Sequence, residues 1–358
     1  MEPSGTVLLN RSDVASLLDI DECMVAIEQA FKSYAEGRTV APKVLGMHSK
    51  NGGFHLKTGL SEDENGYFVA KLNANFPRNS KLHGLPTIQG VIILFDAGNG
   101  RLLALADSIE ITIIRTGAAT GVAAKHLALP NAEVATICGC GNQGRISLKS
   151  LMKVRPLRKV YAFDIDDIQS ESFSREFCED LLITAIRKSE LSASLRKSQI
   201  LVTCTPSKEP FIHAEDIAPG TFIAAVGSDS EEKQELCTDL VALSKIVVDI
   251  TEQSATIGEV HHAIQQKKIS IEDIHAELGM IVAGKRPGRE SGEEIIVFDS
   301  TGTALQDIAA ASIVYEKAKE KQIGTRFNFS APQKNDPISK SLKNLEAIAA
   351  LNFWKPFR

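Results

Sequence analysis

The chain has 358 residues, more than one ordinary core organises, so about two domains are expected. A hydrophobic share of 43% and a charged share of 24% are those of a soluble globular protein. The formal charge of -5 supplies no basic field for nucleic acid, and no basic-aromatic stretch compensates for it. No apolar run is long enough to span a bilayer, and the opening MEPSGTVLLNRSD lacks a cationic segment followed by a long apolar one, so neither a membrane span nor a signal peptide is expected. Cysteines 23, 138, 140, 178, 204 and 237 are scattered without Cys-x-x-Cys spacing, which predicts reduced thiols in a cytoplasmic protein and no metal centre.

Residues 12 to 36 place Val14, Leu17, Leu18, Met24, Ile27, Phe31 and Tyr34 at largely helical spacing behind the capping pair Ser12-Asp13, and Gly37 ends the pattern. Strand-like runs follow at 54–58, 67–73 and 87–96. Asn99-Gly100 then turns the chain into 102–106, so the last two runs read as a hairpin. With no helices between them, these strands predict a mainly antiparallel sheet. Residues 109 to 128 read as a helix crowded with Ala and Gly, suited to close packing.

From 133 to about 300 strands and helices alternate, with strands expected at 133–138, 158–163, 199–204, 221–226, 245–249 and 294–298. That alternation predicts a doubly wound parallel sheet. A helix over 303–320 is expected to pack back on the first domain and make it discontinuous. The tail from 327 reads as a polar linker closed by a short amphipathic helix, with a subunit or partner contact as one reading.

The most informative stretch is Glu133–Gly144, in which the β-branched run Val134–Cys138 leads into Gly139-Cys-Gly141-Asn142-Gln143-Gly144. A strand, this glycine turn and a helix are the parts of a dinucleotide phosphate site. The first Gly allows the turn, the second admits the pyrophosphate to the backbone, and the third lets helix pack on strand. The next strand, Lys159–Phe163, ends on Asp164, placed to accept from the adenosine ribose hydroxyls. Asp164-Ile165-Asp166-Asp167 offers acids and no nearby Arg for a 2′-phosphate, which favours NAD over NADP.

Fewer residues suggest chemistry elsewhere. Asp229 follows the strand 221–226 and should project from a strand's carboxyl end, where α/β sheets bind ligands; a helix-capping role explains it as well. Lys71 lies among apolar neighbours, which fits either a sheet edge or a site. Arg115 suits either carboxylate capture or a buried ion pair. His48, His55 and His83 show no metal-ligand spacing.

These residues resemble the ornithine cyclodeaminase/mu-crystallin family. The matching segments are Val69–Pro77, Gly84-Leu-Pro86, Asp107 with Ile114–Ala119, Gly139–Gln143, Val202-Thr-Cys-Thr-Pro206, Ala225–Asp229 with Glu235-Leu236, Gly288–Ser291, and Phe298–Gly302 with Gln306-Asp307. They run in order over about residues 6 to 325. The resemblance implies an α/β protein, with a Rossmann-type NAD-binding domain over 121–302 and a discontinuous α+β substrate and dimerisation domain over 1–120 with 303–326. Residues 327–358 fall outside it as a C-terminal extension.

Carried over by motif, Lys71 and Arg115 bind the substrate carboxylate or polarise the reacting centre. Asp229 handles the amine, and Lys43 joins the substrate set. Gly139, Gly141, Asn142, Gln143, Gly144, Asp164, Thr116 and Thr205 would meet the dinucleotide. This chain departs from the family where Met-Pro commonly follows a short strand and it has Phe54-His55-Leu-Lys57-Thr58. His55 or Lys57 then falls near the position where a cyclodeaminase holds the distal amine of ornithine with Glu. A cation there is a poor partner for a second ammonium. The expected function is an NAD(P)-dependent oxidoreductase, with NAD favoured, acting on the CH-NH2 or C=N group of a small amino or imino acid, as a homodimer. The alternatives are an ornithine cyclodeaminase-type lyase using NAD catalytically, and a non-catalytic nucleotide and small-ligand binding protein.

Overall fold

The computed structural model describes residues 5–62, 66–179 and 181–329. The first part of the chain runs β1 (Thr6–Leu9), α1 (Arg11–Leu17), α2 (Ile20–Ala35), β2 (Thr39–Ser49), β3 (Gly52–Ser61), β4 (Tyr67–Asn75), α3 (Asn79–His83), β5 (Ile88–Asp96), β6 (Leu102–Asp107) and α4 (Ser108–Leu127). The expected single helix over 12–36 is two. It starts earlier because Asn10, rather than the Ser12-Asp13 pair, is the cap: its side chain accepts from the Asp13 N–H while the Asp13 carboxylate accepts from the Asn10 N–H. It breaks at Leu18, where Asp19 takes an extended backbone and caps α2 through the N–H groups of Asp21 and Glu22.

The second part alternates as its sequence predicts. It comprises β7 (Val134–Cys138), α5 (Asn142–Val154), β8 (Lys159–Phe163), α6 (Asp167–Glu176), β9 (Leu182–Ile186), α7 (Lys188–Leu195), β10 (Ile200–Thr203) and β11 (Phe222–Ala225). There follow α8 (Thr238–Leu243), β12 (Lys245–Val248), α9 (Thr251–Ser254), α10 (Glu259–Gln265), β13 (Ile274–Glu277), α11 (Leu278–Val282) and β14 (Ile296–Asp299). The chain then returns to the first part through α12 (Ala304–Lys321) and β15 (Thr325–Phe327).

Two sheets result. One has the order β15-β1-β6-β5-β4-β3-β2; it is antiparallel except where β1 lies parallel to β6. The other has eight strands in the order β13-β12-β14-β11-β10-β7-β8-β9, and every pairing is parallel. Its strand order reverses between β7 and β10, the switch point where open α/β sheets form a crevice. Strands such as Ile200–Thr203 and Phe222–Ala225 are buried along their whole length, as sheets covered on both faces require.

Helix α4 joins the two sheets. It packs against α2 and α12 on one side and α5 on the other, and it is continuous through the expected division at 120/121. The crowding of small residues on it has a concrete cause: a Cβ on Gly117 would sit 2.6 Å from Ile146 of α5. The residues beyond 329 on which the tail helix was expected lie outside the described residues. Before them, β15 adds an unexpected antiparallel strand beside β1.

Candidate functional site

The glycine turn joins β7 to α5 at the switch point. Gly139 has φ +103, and a Cβ there would lie 2.9 Å from the Cys204 carbonyl at the end of β10, so the two strands approach more closely than a side chain permits. Gly144 packs on the Gly139 carbonyl and on Ile137, fixing α5 to β7. Gly141, by contrast, meets nothing within 4 Å, and it caps α5 without a side-chain acceptor. The turn is therefore tight on the protein side and open on the side of the free helix N–H groups, the geometry a pyrophosphate needs.

Around it, Gly141 and Asn142 are exposed, Gln143 and Asp164 half-buried. The Asp164 carboxylate accepts from the Cys140 N–H at 2.8 Å and the Asp166 N–H at 3.1 Å, so it stands beside the turn. The Gln143 Oε1 is buried with no hydrogen-bond partner. Thr116 is buried on α4 next to the contact with α5. Thr205, just past β10, gives both its N–H and its hydroxyl to Glu235, each at 2.7 Å. Glu235 also accepts from the Gly227 N–H at 3.2 Å, so one buried carboxylate ties together the loops that follow β10 and β11. Burial pushes it up to about 7, against the hydrogen bonds from Thr205 and Thr203.

A second cluster lies on the face of the antiparallel sheet that packs against α12 and α4. Pairing places Lys57 of β3 directly opposite Lys71 of β4, and strand alternation turns both to that face. Lys71 is 3% exposed, with its ammonium 2.8 and 2.7 Å from the two oxygens of Asp307 on α12. Arg115 of α4 brings its Nε within 3.2 Å of the same carboxylate and donates from Nη1 to Gln306 at 2.6 Å. A Cβ on Gly302 would lie 2.6 Å from the Arg115 guanidinium, so glycine is what lets the arginine lie across that loop. Lys57 donates to the carbonyls of Thr301 and Gly302 at 3.0 and 2.5 Å. Behind the loop, Asp249 accepts from the Thr301 hydroxyl and the Gly302 N–H, both at 2.7 Å.

The electrostatics follow from burial. Desolvation pushes the Lys71 ammonium down to about 7, opposed by Asp307 and assisted by Arg115 and Lys57. It lowers Lys57 as well, with Arg115 adding to the effect. Burial opposes ionisation of Asp307, but Lys71, Arg115 and Lys57 together hold its carboxyl below the usual range.

Asp229 follows β11 on the opposite wall. Its side chain is 54% exposed and pairs with Lys233 at 2.6 Å. The surrounding protein opposes its ionisation, yet Lys233, and at longer range Lys57 and His55, hold it below the ordinary aspartate value. Half-burial lowers His55, with the field of Asp229 opposing. His48 stands edge-on to His55 at 6.4 Å. Asp229 thus acts on His55 and Lys57 from beyond the end of β11 in the parallel sheet, and Lys57 in turn interacts with Arg115 and Asp307 of the cluster.

Lys43 does not join them. It is exposed, and its register partner is Thr58, one residue from Lys57, which puts it on the opposite face of the sheet. Sequence reasoning named neither Asp307 nor Glu235 as site residues, although both lie in motifs it quoted. For Asp307 the available signal was a carboxylate in the largely apolar run Ala304–Ala311, whereas Glu235 follows the polar stretch Ser230–Gln234 and gave none. Among the described residues no group of His, Cys, Asp and Glu is placed to hold a metal ion, and no helix is long and apolar enough to cross a membrane.

The model of the ornithine cyclodeaminase/mu-crystallin family matches residues 4–322. The alanine dehydrogenase of Archaeoglobus fulgidus is 39% identical over 324 residues, covering 90% of this chain and 98% of its own. An archaeal alanine dehydrogenase dimer solved with bound NAD superposes with a TM-score of 0.87 at 36% identity, covering 91% of this chain and all of that one. The Δ1-pyrroline-2-carboxylate reductase of Thermococcus litoralis, in complex with NADH and L-proline, gives 0.84 at 33% identity over 90% of this chain and all of its own. With the open glycine turn, the switch-point crevice and a match along nearly all of the described residues, the chain belongs to the ornithine cyclodeaminase/mu-crystallin family.

Proposed function

We propose that this chain is an NAD-dependent oxidoreductase acting on the CH-NH2 or C=N centre of a small amino or imino acid. The observation that carries this reading is the cleft itself: a buried cationic wall of Lys57, Lys71 and Arg115 faces an ionised, accessible Asp229, with the open dinucleotide turn at the same switch point. An α-amino acid presents a carboxylate and an amine a few ångströms apart, the complementary pattern.

Gly139 to Gly144 and the start of α5 would hold the pyrophosphate, Asp164 the adenosine ribose, and Thr205 and Thr116 the remainder. When bound, the nicotinamide supplies or takes the hydride. Arg115 and Lys71 capture the α-carboxylate and fix the orientation of the α-carbon. Asp229, held in its ionised form, pairs with the iminium or ammonium nitrogen. Lys71, poised near neutrality, exchanges a proton in the cleft. By the family resemblance, His55 or Lys57 takes the place of the Glu that engages a distal amine in cyclodeaminases, which disfavours a diamino acid substrate.

A homodimer is part of this reading. On the outer face of the antiparallel sheet, register aligns the exposed Leu45, Leu72 and Val91 in one row and Met47 and Phe54 in the next, a continuous apolar patch of the kind that seeks a second copy. Six free thiols favour a reducing compartment, the cytoplasm.

The test is NADH absorbance with pyruvate plus ammonium, with pyrroline-2-carboxylate, and with L-ornithine under trace NAD. Net oxidation of NADH on an oxo acid or imine is expected, and Asp229→Asn should lower kcat by about 10²–10⁴ while NADH affinity holds. Proline and ammonia from ornithine without net redox would make the chain a cyclodeaminase instead.

A further inference from the structure

Charge counting on the cleft wall leaves an imbalance that one substrate carboxylate does not remove. Lys57 and Lys71 are opposite neighbours on adjacent strands, a like-charge pairing that is unfavourable on any sheet and more so when both side chains are buried. Arg115 adds a third buried cation. Against these stands one carboxylate at ion-pair distance, that of Asp307, shared by Lys71 and Arg115. Asp229 and Asp249 act on Lys57 only at longer range: Asp229 is ion-paired with Lys233, and Asp249, whose ionisation burial opposes, accepts from Thr301, Gly302 and Ile250.

Among the described residues Lys57 has no ion-pair partner. Two of its three N–H donors rest on the Thr301 and Gly302 carbonyls, and the third has no partner. The loop that carries these two carbonyls is itself fixed from behind, by Asp249 accepting from the Thr301 hydroxyl and the Gly302 N–H and by Gln253 donating to the Gly302 carbonyl. A buried cation held by backbone carbonyls, with Asp229, Asp307 and Asp249 acting on it only at longer range, is set for an anion that arrives from outside. Next to it on the same face is His55, half-buried and beside His48.

We infer that the substrate is an amino or imino dicarboxylic acid, and that Lys57, with His55 beside it, reads the second carboxylate while Arg115 and Lys71 hold the first. This rests on the oxidoreductase reading above and narrows it to a substrate class. Lys57 is then the specificity-determining residue.

The experiment is NADH oxidation by the full-length protein with ammonium and oxaloacetate, 2-oxoglutarate or pyruvate, and with pyrroline-2-carboxylate. It is run on the wild type and on Lys57→Met, which keeps a linear side chain of similar length without the charge, and Lys57→Arg, which keeps the charge. The wild type should prefer a diacid to pyruvate by roughly tenfold or more in kcat/KM. Lys57→Met should lower that ratio roughly ten- to hundredfold, mainly through the diacid KM, and Lys57→Arg should restore part of it. A wild-type preference for pyruvate overturns the inference without any variant. So does a ratio that stays fixed while both activities fall in Lys57→Met, which would make Lys57 only a clamp on Thr301–Gly302. Turnover of pyruvate or pyrroline-2-carboxylate but of neither diacid contradicts the substrate class and leaves the oxidoreductase reading standing. No turnover on any oxo acid or imine removes both.

Discussion

The glycine turn and the cationic wall are built in opposite ways. The turn comes from one continuous stretch, uses backbone N–H groups, and depends on side chains being absent: Gly139 permits the bend, Gly144 the helix contact and Gly141 the open face. The wall is assembled from β3, β4, α4 and α12, and depends on charged side chains that burial penalises. A site made of backbone tolerates change in its surroundings but not within its glycines. A site made of buried charge fails when any one counter-charge is lost.

The largest expected effect comes from unbalancing the wall. Asp307→Asn leaves Lys71 and Arg115 buried, close together and without their shared carboxylate. Breaking a buried ion pair from one side costs about 3–5 kcal/mol, so denaturant unfolding should show a loss of that order. A change below about 1 kcal/mol would mean the cluster is far better solvated than its burial indicates.

The glycine turn gives a contrast within one motif. Gly144→Ala places a methyl against the Gly139 carbonyl and should cost about 1–3 kcal/mol along with dinucleotide affinity. Gly141→Ala meets no protein atom within 4 Å, so stability should hold while NADH titration shows weaker binding. Equal loss of stability in both variants would contradict an open face at Gly141.

The smallest effect is a pH dependence confined to the wall. Lys71 is lowered to about 7 in the free protein, and a bound carboxylate favours its charged form. Binding therefore takes up a proton: substrate affinity should be steady below pH about 7 and fall by up to about tenfold per unit above it. For stability the sign is opposite, because the unfolded lysine still binds its proton between about 7 and 10.5, so this group's contribution improves as pH rises through that window. Isothermal titration of a carboxylate inhibitor across that range reads the first effect, and NADH affinity should not follow it.

The same contrast explains what was legible in the sequence. Strand, turn and helix of the proposed nucleotide site are contiguous, so spacing alone singled out Gly139, Gly141, Gly144 and Asp164 as its candidates. The buried strands Val134–Cys138, Phe222–Ala225 and Ile296–Asp299 were found because their apolar runs are dense. Four of the strands that went unread, β2, β9, β13 and β15, are the four sheet edges. An edge strand has one neighbour and more exposed residues, and β2 carries Pro42 and Gly46, so its pattern is weak. The chemistry of the wall was legible only residue by residue. Lys71 and Arg115 stood out as charges among apolar neighbours, but their partner Asp307 lies 236 positions from Lys71, a pairing that no local pattern reports. Lys43 was placed with them by motif, and a one-residue offset in strand register turned it to the other face.

The central claim is hydride transfer to an α-carbon held between that wall and Asp229. The most direct measurement uses NADH deuterated at the transferring position of the nicotinamide, an oxo acid with ammonium or a cyclic imino acid, and mass spectrometry of the amino acid formed. The account predicts a product one mass unit heavier, with the deuterium on the α-carbon and one NADH consumed per product. An amino acid formed without deuterium, or without consumption of NADH, would contradict it.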